Sequence, residues 1–380
     1  MNNVFIVGSR GYHYNYGGWE TFVTNLVDNY NDNNTHFYIS MYTNDDSLTE
    51  YKPSKNITVN PIYVKNSTKG KMFIYTVKAF KNYIEYIEKN KIDNCYMYIL
   101  GLKLFHYLKI YRKKLKELNI KLIVNPDGME WMRSKWSYPI KKFFLLSERL
   151  MLNNCDLIIC DGLGIKEYID SKYPKLKDIT TYIAYGYNEF DFSKVNEDKI
   201  LKKYNLVKND YLLMVGRCVP ENNYELVIKD FMNSKIDKKL VIISNLSSSN
   251  YYQEILSKTN CNLDKRIIFI DGVYDQIELA TIRKNAYLYI HGHSVGGTNP
   301  SLIEALSLTD LNILYDVCFN HDIGLNYALY FKEPGSLTKL LDNKNLLDES
   351  IKKLGPKTKK HVKDNFTWEI IVSKYKKIFK

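Results

Sequence analysis

The feature that most constrains this chain is a regular alternation of short apolar runs with stretches of helical periodicity. In the first half, the runs with the length of buried strands are 4–7, 36–42, 57–64, 95–100, 121–125, 157–160 and 180–184. From Phe73 to Ile87, apolar residues recur every three or four positions, which predicts an amphipathic helix. Strands that alternate with helices predict a parallel sheet covered on both faces.

A second series of the same kind follows a polar stretch at 188–198. Its predicted strands are 211–215, 240–244, 267–270, 287–291 and 312–315, and its predicted helices are 221–233, 275–285 and 300–307. A chain of 380 residues has room for roughly two to three domains. We therefore predict an α/β protein with two Rossmann-like domains that face each other across a cleft. The domains are expected at 1–190 and 191–360, with a C-terminal helix at 361–380 that packs back toward the first domain.

The positive charge of the chain is concentrated in one segment. The total is +12, but residues 51–150 contain 21 Lys and Arg against 7 Asp and Glu, a net charge of +14. A basic region of this size predicts an anionic partner such as nucleic acid, lipid head groups or a phosphorylated substrate, although a merely solubilising surface would look the same. No nucleic-acid recognition motif accompanies the segment, so we expect no nucleic-acid partner.

Several protein classes are excluded by what the sequence lacks. No apolar stretch reaches the ~18 residues of a membrane-spanning helix, and the run at 4–7 is too short for a signal peptide, so a cytoplasmic protein is expected. Six cysteines are scattered without a C-x-x-C pair, which indicates reduced thiols rather than disulfides or a zinc site. No strand is followed by a D-x-D motif, so we predict no metal and no other cofactor.

In parallel sheets, ligands bind beyond the carboxyl ends of the strands, so the segments after the predicted strands are the candidate sites. After the first strand, Gly17 and Gly18 precede a helix and permit an anion to approach the backbone N–H groups, unless this loop merely turns. After the strand at 121–125, Asp127 lies where a carboxylate can act as a base or orient a substrate hydroxyl. The alternative for Asp127 is helix capping beside core tryptophans.

Two further segments follow strands of the second series. Arg217 comes directly after the strand at 211–215, where it can clamp a phosphate or simply lie on the surface. The sequence Gly-Gly-Thr-Asn then precedes Pro300, which favours a helix N-terminus able to bind an anion. Glu304 lies about one turn into that helix, where it could accept hydrogen bonds from ribose hydroxyls. We interpret His291 and His293 as buried or supporting histidines rather than metal ligands.

Taken together, four stretches resemble the retaining glycosyltransferases of family four, which have the GT-B fold. More narrowly, they resemble the bacterial rhamnosyltransferases of capsule and cell-wall polysaccharide assembly. The stretches are 7–11 with 16–22, 125–131 with 135–136, 216–223, and 296–301 with Glu304. The resemblance implies retaining transfer of L-rhamnose from dTDP-β-L-rhamnose to a sugar linked to a polyprenyl diphosphate, in β-1,4 linkage.

The resemblance also implies residue roles. It gives catalytic roles to Asp127 and Arg217. The acceptor-binding residues would be Glu130, Trp131, Arg133 and Lys135. The donor-binding residues would be Gly17, Gly18, Arg217, Asn222, Asn223, Gly296, Gly297, Thr298, Asn299 and Glu304. A lipid-linked acceptor and the basic segment 51–150 together predict a protein peripheral at the inner face of the cell membrane, bound to its anionic surface.

The sequence departs from the wider family at two places. The usual E-x7-E pair would need an acid where Gly296 stands, and Asn222 or Asn223 replaces the lysine that often follows the arginine turn. Neutralisation of the phosphates would then depend more heavily on Arg217 and on helix termini. The alternatives are another nucleotide-sugar-dependent hexosyltransferase, an epimerase of the same fold acting on UDP-HexNAc, and a degenerate transferase that serves as a partner in an assembly complex.

Overall fold

The computed structural model describes residues 1–13, 18–132, 136–247, 249–295 and 297–380. The chain forms two compact units, each of which is described by itself. Unit 1 contains Met1–Gly186 and Trp368–Lys380, and unit 2 contains Tyr187–Thr367. The final thirteen residues of the chain therefore belong to the same unit as its beginning.

Unit 1 is built on a sheet with the strand order β3-β4-β2-β1-β5-β6-β7-β8 among the described residues. Every pairing in this sheet is parallel except that of β3 with β4. The strands are β1 (Asn2–Val7), β2 (Thr35–Thr43), β3 (Tyr51–Ser54), β4 (Ile57–Tyr63), β5 (Cys95–Leu100), β6 (Lys121–Asn125), β7 (Leu157–Cys160) and β8 (Thr180–Tyr182). The helices that precede unit 2 are α1 (Gly18–Asp28), α2 (Lys71–Asn90), α3 (Tyr107–Glu117), α4 (Tyr138–Leu152) and α5 (Leu163–Lys172).

Burial explains why these segments form these elements. The central strand β5 is buried at every position, as expected for a strand covered by helices on both faces. Helix α2 buries one side, including Phe80, Ile84 and Ile87, which is the stripe predicted from the sequence. The apolar stripe thus packs α2 against the sheet. Because neighbouring strands are parallel, the loops that follow them lie at the same, carboxyl edge of the sheet.

Unit 2 contains a wholly parallel sheet with the order β11-β10-β9-β12-β13-β14. Its strands are β9 (Tyr211–Val215), β10 (Lys239–Ser244), β11 (Ile267–Asp271), β12 (Leu288–His291), β13 (Asn312–Tyr315) and β14 (Leu329–Phe331). The following helices are α6 (Glu197–Lys203), α7 (Tyr224–Asn233), α8 (Asn250–Thr259), α9 (Gln276–Lys284), α10 (Pro300–Leu308), α11 (Cys318–Gly324), α12 (Ser336–Asp342), α13 (Lys344–Phe366) and, back in unit 1, α14 (Trp368–Lys376). This is the strand order of a doubly wound nucleotide-binding fold.

The prediction of an α/β protein with two Rossmann-like domains is confirmed. The sequence pattern predicts no strand at β14, because three residues are too few to show a period. It also predicts no helix over α13, because Gly355 and Pro356 lie inside that helix and both residues normally interrupt one. Among the described residues, no helix combines the length and the apolar character needed to cross a bilayer.

Candidate functional site

The strand order of unit 2 locates a candidate site. The order reverses between β9 and β12, which pair with each other while their following connections run to opposite sides of the sheet. A crevice forms where two such connections diverge, and ligands of open α/β sheets bind there. Of the stretches selected from the sequence, 216–223 follows β9 in the chain, and 296–301 with Glu304 follows β12.

Side-chain amides hold these two connections together. Asn223 Nδ2 donates to the carbonyl oxygen of Gly292 at 2.7 Å, and Asn222 Oδ1 lies 2.6 Å from His293 Nδ1. Asn222 Nδ2 donates to the carbonyl oxygen of Arg217 at 2.7 Å, which fixes the orientation of the amide and makes His293 Nδ1 the proton donor. The amide groups of both asparagines thus form internal hydrogen bonds. Their predicted contact with the donor stays a prediction.

The close approach of the two connections requires a glycine at position 292. A Cβ atom on Gly292 would lie 2.2 Å from the carbonyl oxygen of Asn222, closer than non-bonded atoms can come. Ser294 completes the contact, since its backbone N–H donates to the carbonyl oxygen of Glu221 at 2.9 Å. Backbone and side-chain contacts together therefore join the two connections into one junction.

Arg217 is the cation of this junction. It follows β9 directly and its side chain is exposed. Among the described residues, its guanidinium has no hydrogen-bond or ion-pair partner, although its backbone carbonyl oxygen accepts from Asn222 and from the N–H of Val219. An arginine without an internal partner at this edge of the sheet is available to an anionic ligand.

Helix α10 begins at the same edge. Asn299 caps it, because its side-chain oxygen accepts from the backbone N–H of Ser301 at 2.9 Å, and Pro300 occupies the first turn. Thr298 is 5% exposed, and Gly297 is half-buried. The N-terminus of α10 carries the positive end of the helix dipole, which favours a negatively charged group there.

Glu304, predicted to bind ribose, has a partner that the sequence analysis missed. Glu304 Oε2 lies 2.5 Å from Nη1 of Arg283, whose side chain is 2% exposed. Arg283 Nη2 also donates to Ser301 Oγ at 2.9 Å. A signal was present in the sequence, because Arg283 follows Leu279 by four positions and therefore lies on the buried face of α9.

His291 is the last residue of strand β12 and directly precedes Gly292 of the junction. It is 4% exposed, and its Nε2 atom has no hydrogen-bond partner among the described residues. Burial, reinforced by the nearby charges of His293 and Arg283, lowers the pKa of His291 well below its usual range. The side chain is therefore a neutral buried group, which agrees with the interpretation made from the sequence.

Unit 1 contains the other predicted residues. The loop after β1 begins with Gly8, and two observations require glycine there. Its φ is positive, at 113°, and a Cβ atom at this position would lie 2.3 Å from the carbonyl oxygen of Leu100. Gly18 is different, because a Cβ atom there would meet none of the described residues within 4 Å. The fold explains the first glycine and leaves the second unexplained, and the predicted contact of Gly18 with the donor remains a prediction.

Asp127 follows β6 in a left-handed backbone conformation with φ of 64°. Its backbone N–H donates to Asn125 Oδ1 at 2.9 Å, and its own Oδ1 accepts from the N–H of Gly128 at 2.9 Å. A non-glycine residue held at positive φ stores strain, which often accompanies functional positions. The side chain is half-buried at the carboxyl edge of the sheet, where the sequence placed it.

Trp131, four positions after Asp127, contacts side chains that are held by the buried carboxylate of Glu148. Trp131 packs beside Tyr168, with ring centroids 6.2 Å apart, and under the ammonium of Lys172. Glu148, whose side chain is 4% exposed, accepts hydrogen bonds at Oε1 from Lys172, Tyr168 and Tyr173, each at 2.9 Å. Glu148 is not among the residues selected from the sequence, although its place on the apolar stripe of α4 indicates burial.

Glu130 forms the other contact of this segment, since its Oε1 accepts from Trp136 Nε1 at 2.8 Å. Glu130 and Trp131 thus have internal partners, and their contact with an acceptor stays a prediction. Gly17, Arg133, Lys135 and Gly296 lie outside the described residues. Within the part of the chain that the structure describes, no group of three or more His, Cys, Asp or Glu is arranged to hold a metal ion.

Comparison with known protein families divides the chain at nearly the same place as the structure. Residues 1–188 match a family described as "Domain of unknown function (DUF1972)". Residues 196–359 match the family "Glycosyl transferases group 1", and this range contains the whole junction from Arg217 to Glu304. An uncharacterized glycosyltransferase of Methanocaldococcus jannaschii is 25% identical over 280 residues, which cover 70% of this chain and 69% of the relative.

Solved structures show the same fold over the full length. Sucrose-phosphate synthase from Thermosynechococcus elongatus is 14% identical with a TM-score of 0.77, and the match covers 100% of this chain and 98% of the synthase. The Anabaena protein HepE, solved in complex with UDP, is 12% identical with a TM-score of 0.72, and the match covers 100% of this chain and 99% of HepE. At these identities the likeness concerns the fold alone.

Proposed function

We propose that this chain, a glycosyltransferase of the GT-B type whose group 1 domain spans residues 196–359, transfers L-rhamnose from dTDP-β-L-rhamnose to a lipid-diphosphate-linked sugar. The observation that carries the proposal is the exposed Arg217, whose guanidinium lacks an internal partner among the described residues and which lies where the connections after β9 and β12 diverge. The product is an oligosaccharide intermediate of capsule or cell-wall polysaccharide, with a β-1,4 linkage.

The donor site would use Arg217 and the N-terminus of α10 to neutralise the diphosphate. Both are positive, and both belong to connections that the Asn222–His293 and Asn223–Gly292 contacts hold together. The complex of HepE with UDP shows a nucleoside diphosphate bound to a protein of this fold. Backbone N–H groups near Gly297, Thr298 and Asn299 would add further donors without requiring a metal ion.

The reaction breaks the bond between the anomeric carbon and a phosphate oxygen and forms a bond from that carbon to an acceptor hydroxyl on the same face. The acceptor proton passes to the departing phosphate oxygen, so no enzyme nucleophile is needed. Arg217 would stabilise the charge that develops on this oxygen, which is often the largest catalytic effect. Asp127 would orient the acceptor hydroxyl.

Replacing Arg217 tests the donor site. Arg217→Ala should lower kcat by about 10²-fold or more, because a charge on the leaving group loses its counter-charge. Lys265→Ala is the matched control, since Lys265 is an exposed cation of the same unit that precedes strand β11 and so lies at the opposite edge of the sheet. An unchanged rate in Arg217→Ala, with the control also unchanged, would remove Arg217 from the mechanism.

The identity of the donor is tested with a panel of nucleotide sugars. The protein is incubated with each donor and a synthetic lipid-linked GlcNAc or glucose, and the products are identified by mass spectrometry. Transfer of a deoxyhexose from dTDP-rhamnose alone supports the proposal. Transfer from UDP-glucose instead would make the protein a different hexosyltransferase, and conversion of a UDP-HexNAc without any acceptor would make it an epimerase.

A membrane-facing surface would bring the protein to its lipid-linked acceptor, at the cytoplasmic face of the membrane. Helix α4 exposes three large apolar side chains, Tyr138 at 71%, Leu146 at 47% and Ile140 at 38%. The exposed charged residues of the same helix are Lys142 and Arg149, both basic. Apolar side chains among basic ones are typical of helices that lie on an anionic bilayer.

This surface continues directly into the candidate acceptor segment. The single turn Glu130–Met132 packs against α4, with the rings of Trp136 and Phe144 5.5 Å apart. Met132 is 45% exposed and adds a further apolar group beside the helix. An acceptor whose lipid remains in the bilayer would therefore present its sugar close to Asp127.

Vesicle flotation tests the surface. The protein should float with vesicles that contain phosphatidylglycerol, in a salt-sensitive manner, and not with phosphatidylcholine alone. The double substitution Tyr138→Ser with Leu146→Ser should abolish flotation. The control is Leu263→Ser with Tyr274→Ser in unit 2, at sites that are 76% and 70% exposed. Equal flotation of both variants, or none by the unsubstituted protein, would refute the proposed surface.

A further inference from the structure

Arg283 is the largest fully buried side chain among the described residues. Removing a guanidinium from water costs much free energy unless ionic and hydrogen-bonding partners compensate. Arg283 has two partners, and both belong to α10: Nη1 lies 2.5 Å from Glu304 Oε2, and Nη2 donates to Ser301 Oγ at 2.9 Å. Ser301 and Glu304 are three positions apart, so one guanidinium spans the same face of the first two turns.

The surroundings fix Arg283 as well. Its backbone carbonyl oxygen accepts from Thr309 Oγ1 at 2.8 Å, which ties α9 to the C-terminal end of α10. Ser301 Oγ lies 3.4 Å from the hydroxyl of Tyr289, which itself donates to the carbonyl oxygen of Val215 at 3.1 Å. The guanidinium is thus connected to the end of β9, immediately before the turn that carries Arg217.

The ion pair is asymmetric. The Arg283 side chain is 2% exposed, whereas the Glu304 side chain is 20% exposed. Among the described residues, Glu304 Oε2 faces the guanidinium while Oε1 accepts no hydrogen bond. The carboxylate therefore has Oε2 anchored by the buried guanidinium, while its second oxygen, Oε1, has no hydrogen-bond donor among the described residues.

We infer that Arg283 is a positioning residue that aims the outer oxygen of Glu304 at a ribose hydroxyl of the donor nucleotide. The inference rests on the proposed function, since it needs a nucleotide at this site. A carboxylate can only accept hydrogen bonds, so it selects hydroxyl groups, and its selectivity depends on being held in one place. The 3′-hydroxyl is the ribose hydroxyl that a thymidine nucleotide offers.

A purely structural ion pair is the competing explanation. Such a pair would hold α10 against α9 and would affect stability without affecting how the protein responds to a missing hydroxyl. The two explanations therefore predict different affinity losses on removal of the 3′-hydroxyl in the Arg283 variants. Comparing this loss between the unsubstituted protein and the variants is equivalent to a double-mutant cycle.

The experiment measures the affinities of dTDP and of 3′-deoxy-dTDP by calorimetry. In the unsubstituted protein, loss of the hydroxyl should weaken binding about tenfold, a common cost for a lost hydrogen bond to a charged group. In Arg283→Met this penalty should fall below about twofold. In Arg283→Lys, which keeps the charge but cannot hold both Ser301 and Glu304, it should take an intermediate value.

Arg266→Met is the matched control. Arg266 also forms an ion pair, with Asp264 at 2.8 Å, and packs on the ring of Phe231, but it lies away from α10. This variant should keep the full tenfold penalty even if it is less stable. If Arg283→Met does not fold, the hydroxyl penalty measured in Arg283→Lys decides between the two explanations.

The possible failures are distinguishable. An unsubstituted protein that binds neither dTDP nor UDP would refute the proposed function, and the inference with it. Tight dTDP binding with an equal hydroxyl penalty in the unsubstituted protein and the Arg283 variants would overturn the inference alone. So would a penalty that disappears equally in Arg266→Met.

Discussion

Glycines at two positions of this chain have opposite relations to the fold. Gly292 is confined, since a Cβ atom would lie 2.2 Å from a backbone oxygen of Asn222. Gly18 opens helix α1, and a Cβ atom there would meet none of the described residues within 4 Å.

Alanine substitutions at these glycines should separate folding from function. Gly292→Ala should lower the free energy of unfolding by about 2 kcal/mol, because the backbone must shift to accept the methyl group. Gly18→Ala should leave stability within about 0.5 kcal/mol of the parent but lower kcat/KM by about 10²-fold, since the methyl group would displace a bound phosphate. Denaturant titrations and initial rates check both. An active Gly18→Ala protein would exclude a close approach of the donor there.

His291 predicts a pH dependence of stability. Its pKa is lowered well below the usual range in the folded protein, chiefly by burial, while the unfolded chain should titrate near about 6.5. The unfolded state therefore takes up more protons as the pH falls through that value, and folding is disfavoured. Between pH 7.5 and 5.5 this group should cost about 1.4 kcal/mol of stability.

The substitution His291→Leu isolates this contribution. Denaturant unfolding is measured at both pH values for the two proteins, and the loss on acidification should be about 1.4 kcal/mol smaller in His291→Leu than in the parent. Other histidines titrate equally in both proteins and cancel. An identical loss would mean that His291 is protonated in the folded state.

At the level of individual residues, the sequence predicted where the candidate segments lie along the sheet and missed the residues that hold them. Arg217 and the glycine-rich connections follow strands directly, so their position in the chain predicts their place in the sheet. Arg283 and Glu148 pair with residues of other elements, and no local pattern identifies such a partner. Their only local signal is a charged residue on the buried face of a helix.

Among the elements, helix α4 is joined to the α5 region by one buried carboxylate, that of Glu148. Oε1 of Glu148 accepts from three side chains of the α5 region, and the Glu148 charge adds to burial in raising the pKa of Tyr168 and of Tyr173. This contact also supports Trp131, because Lys172 lies over its ring. The candidate acceptor segment is thus positioned by a helix pair that lies outside it.

Glu148→Ala should therefore destabilise unit 1. The expected loss is about 2 kcal/mol, below the full cost of breaking a buried pair because Lys172 is 35% exposed. Glu117→Ala on α3 is the control: its pairing with Lys113 at 3.9 Å is exposed and should contribute about 0.5 kcal/mol at most. Chemical denaturation measures both variants. Equal losses would show that the Glu148 contacts contribute no more than a surface ion pair.

Strand and helix positions were largely predictable, because alternation and helical periodicity reflect burial directly. Several elements were not predicted, among them β3, α4, α8 and α12. For two others the cause is physical, since β14 is too short to show a period and α13 contains residues that normally break helices. The strand order was not predictable in detail, since it depends on which helices cross to which face. It is this order that brings the connections after β9 and β12 together.

On the scale of the whole molecule, the path of the chain has a consequence for stability. The last thirteen residues leave unit 2 and complete unit 1. Five of their side chains are at most 4% exposed, namely Trp368, Ile371, Val372, Tyr375 and Phe379. Polar contacts fix the tail as well, since Asn2 Nδ2 donates to the carbonyl oxygen of Phe379 at 2.8 Å.

A chain that ends at Thr367 should accordingly lose the cooperative unfolding of unit 1. Burying each of the five side chains contributes about 1.5–3 kcal/mol, so the tail supplies an amount comparable to the roughly 5–15 kcal/mol of net stability of a typical domain. Unit 2 contains all of its own residues, Tyr187–Thr367, and should keep its transition. Thermal unfolding by circular dichroism and limited proteolysis with fragment identification check both expectations.

The full-length chain with Ser373→Ala is the matched control, because Ser373 lies on the exposed side of α14 and its hydroxyl donates only to the carbonyl oxygen of Ile370 in its own helix. This control should unfold like the parent. If the shortened chain retains both transitions and the same proteolytic pattern, the tail merely covers a unit that is already stable. If it loses unit 1 alone, then acceptor binding depends on the final residues of the chain, whereas dTDP binding by the Arg217 junction should survive their removal.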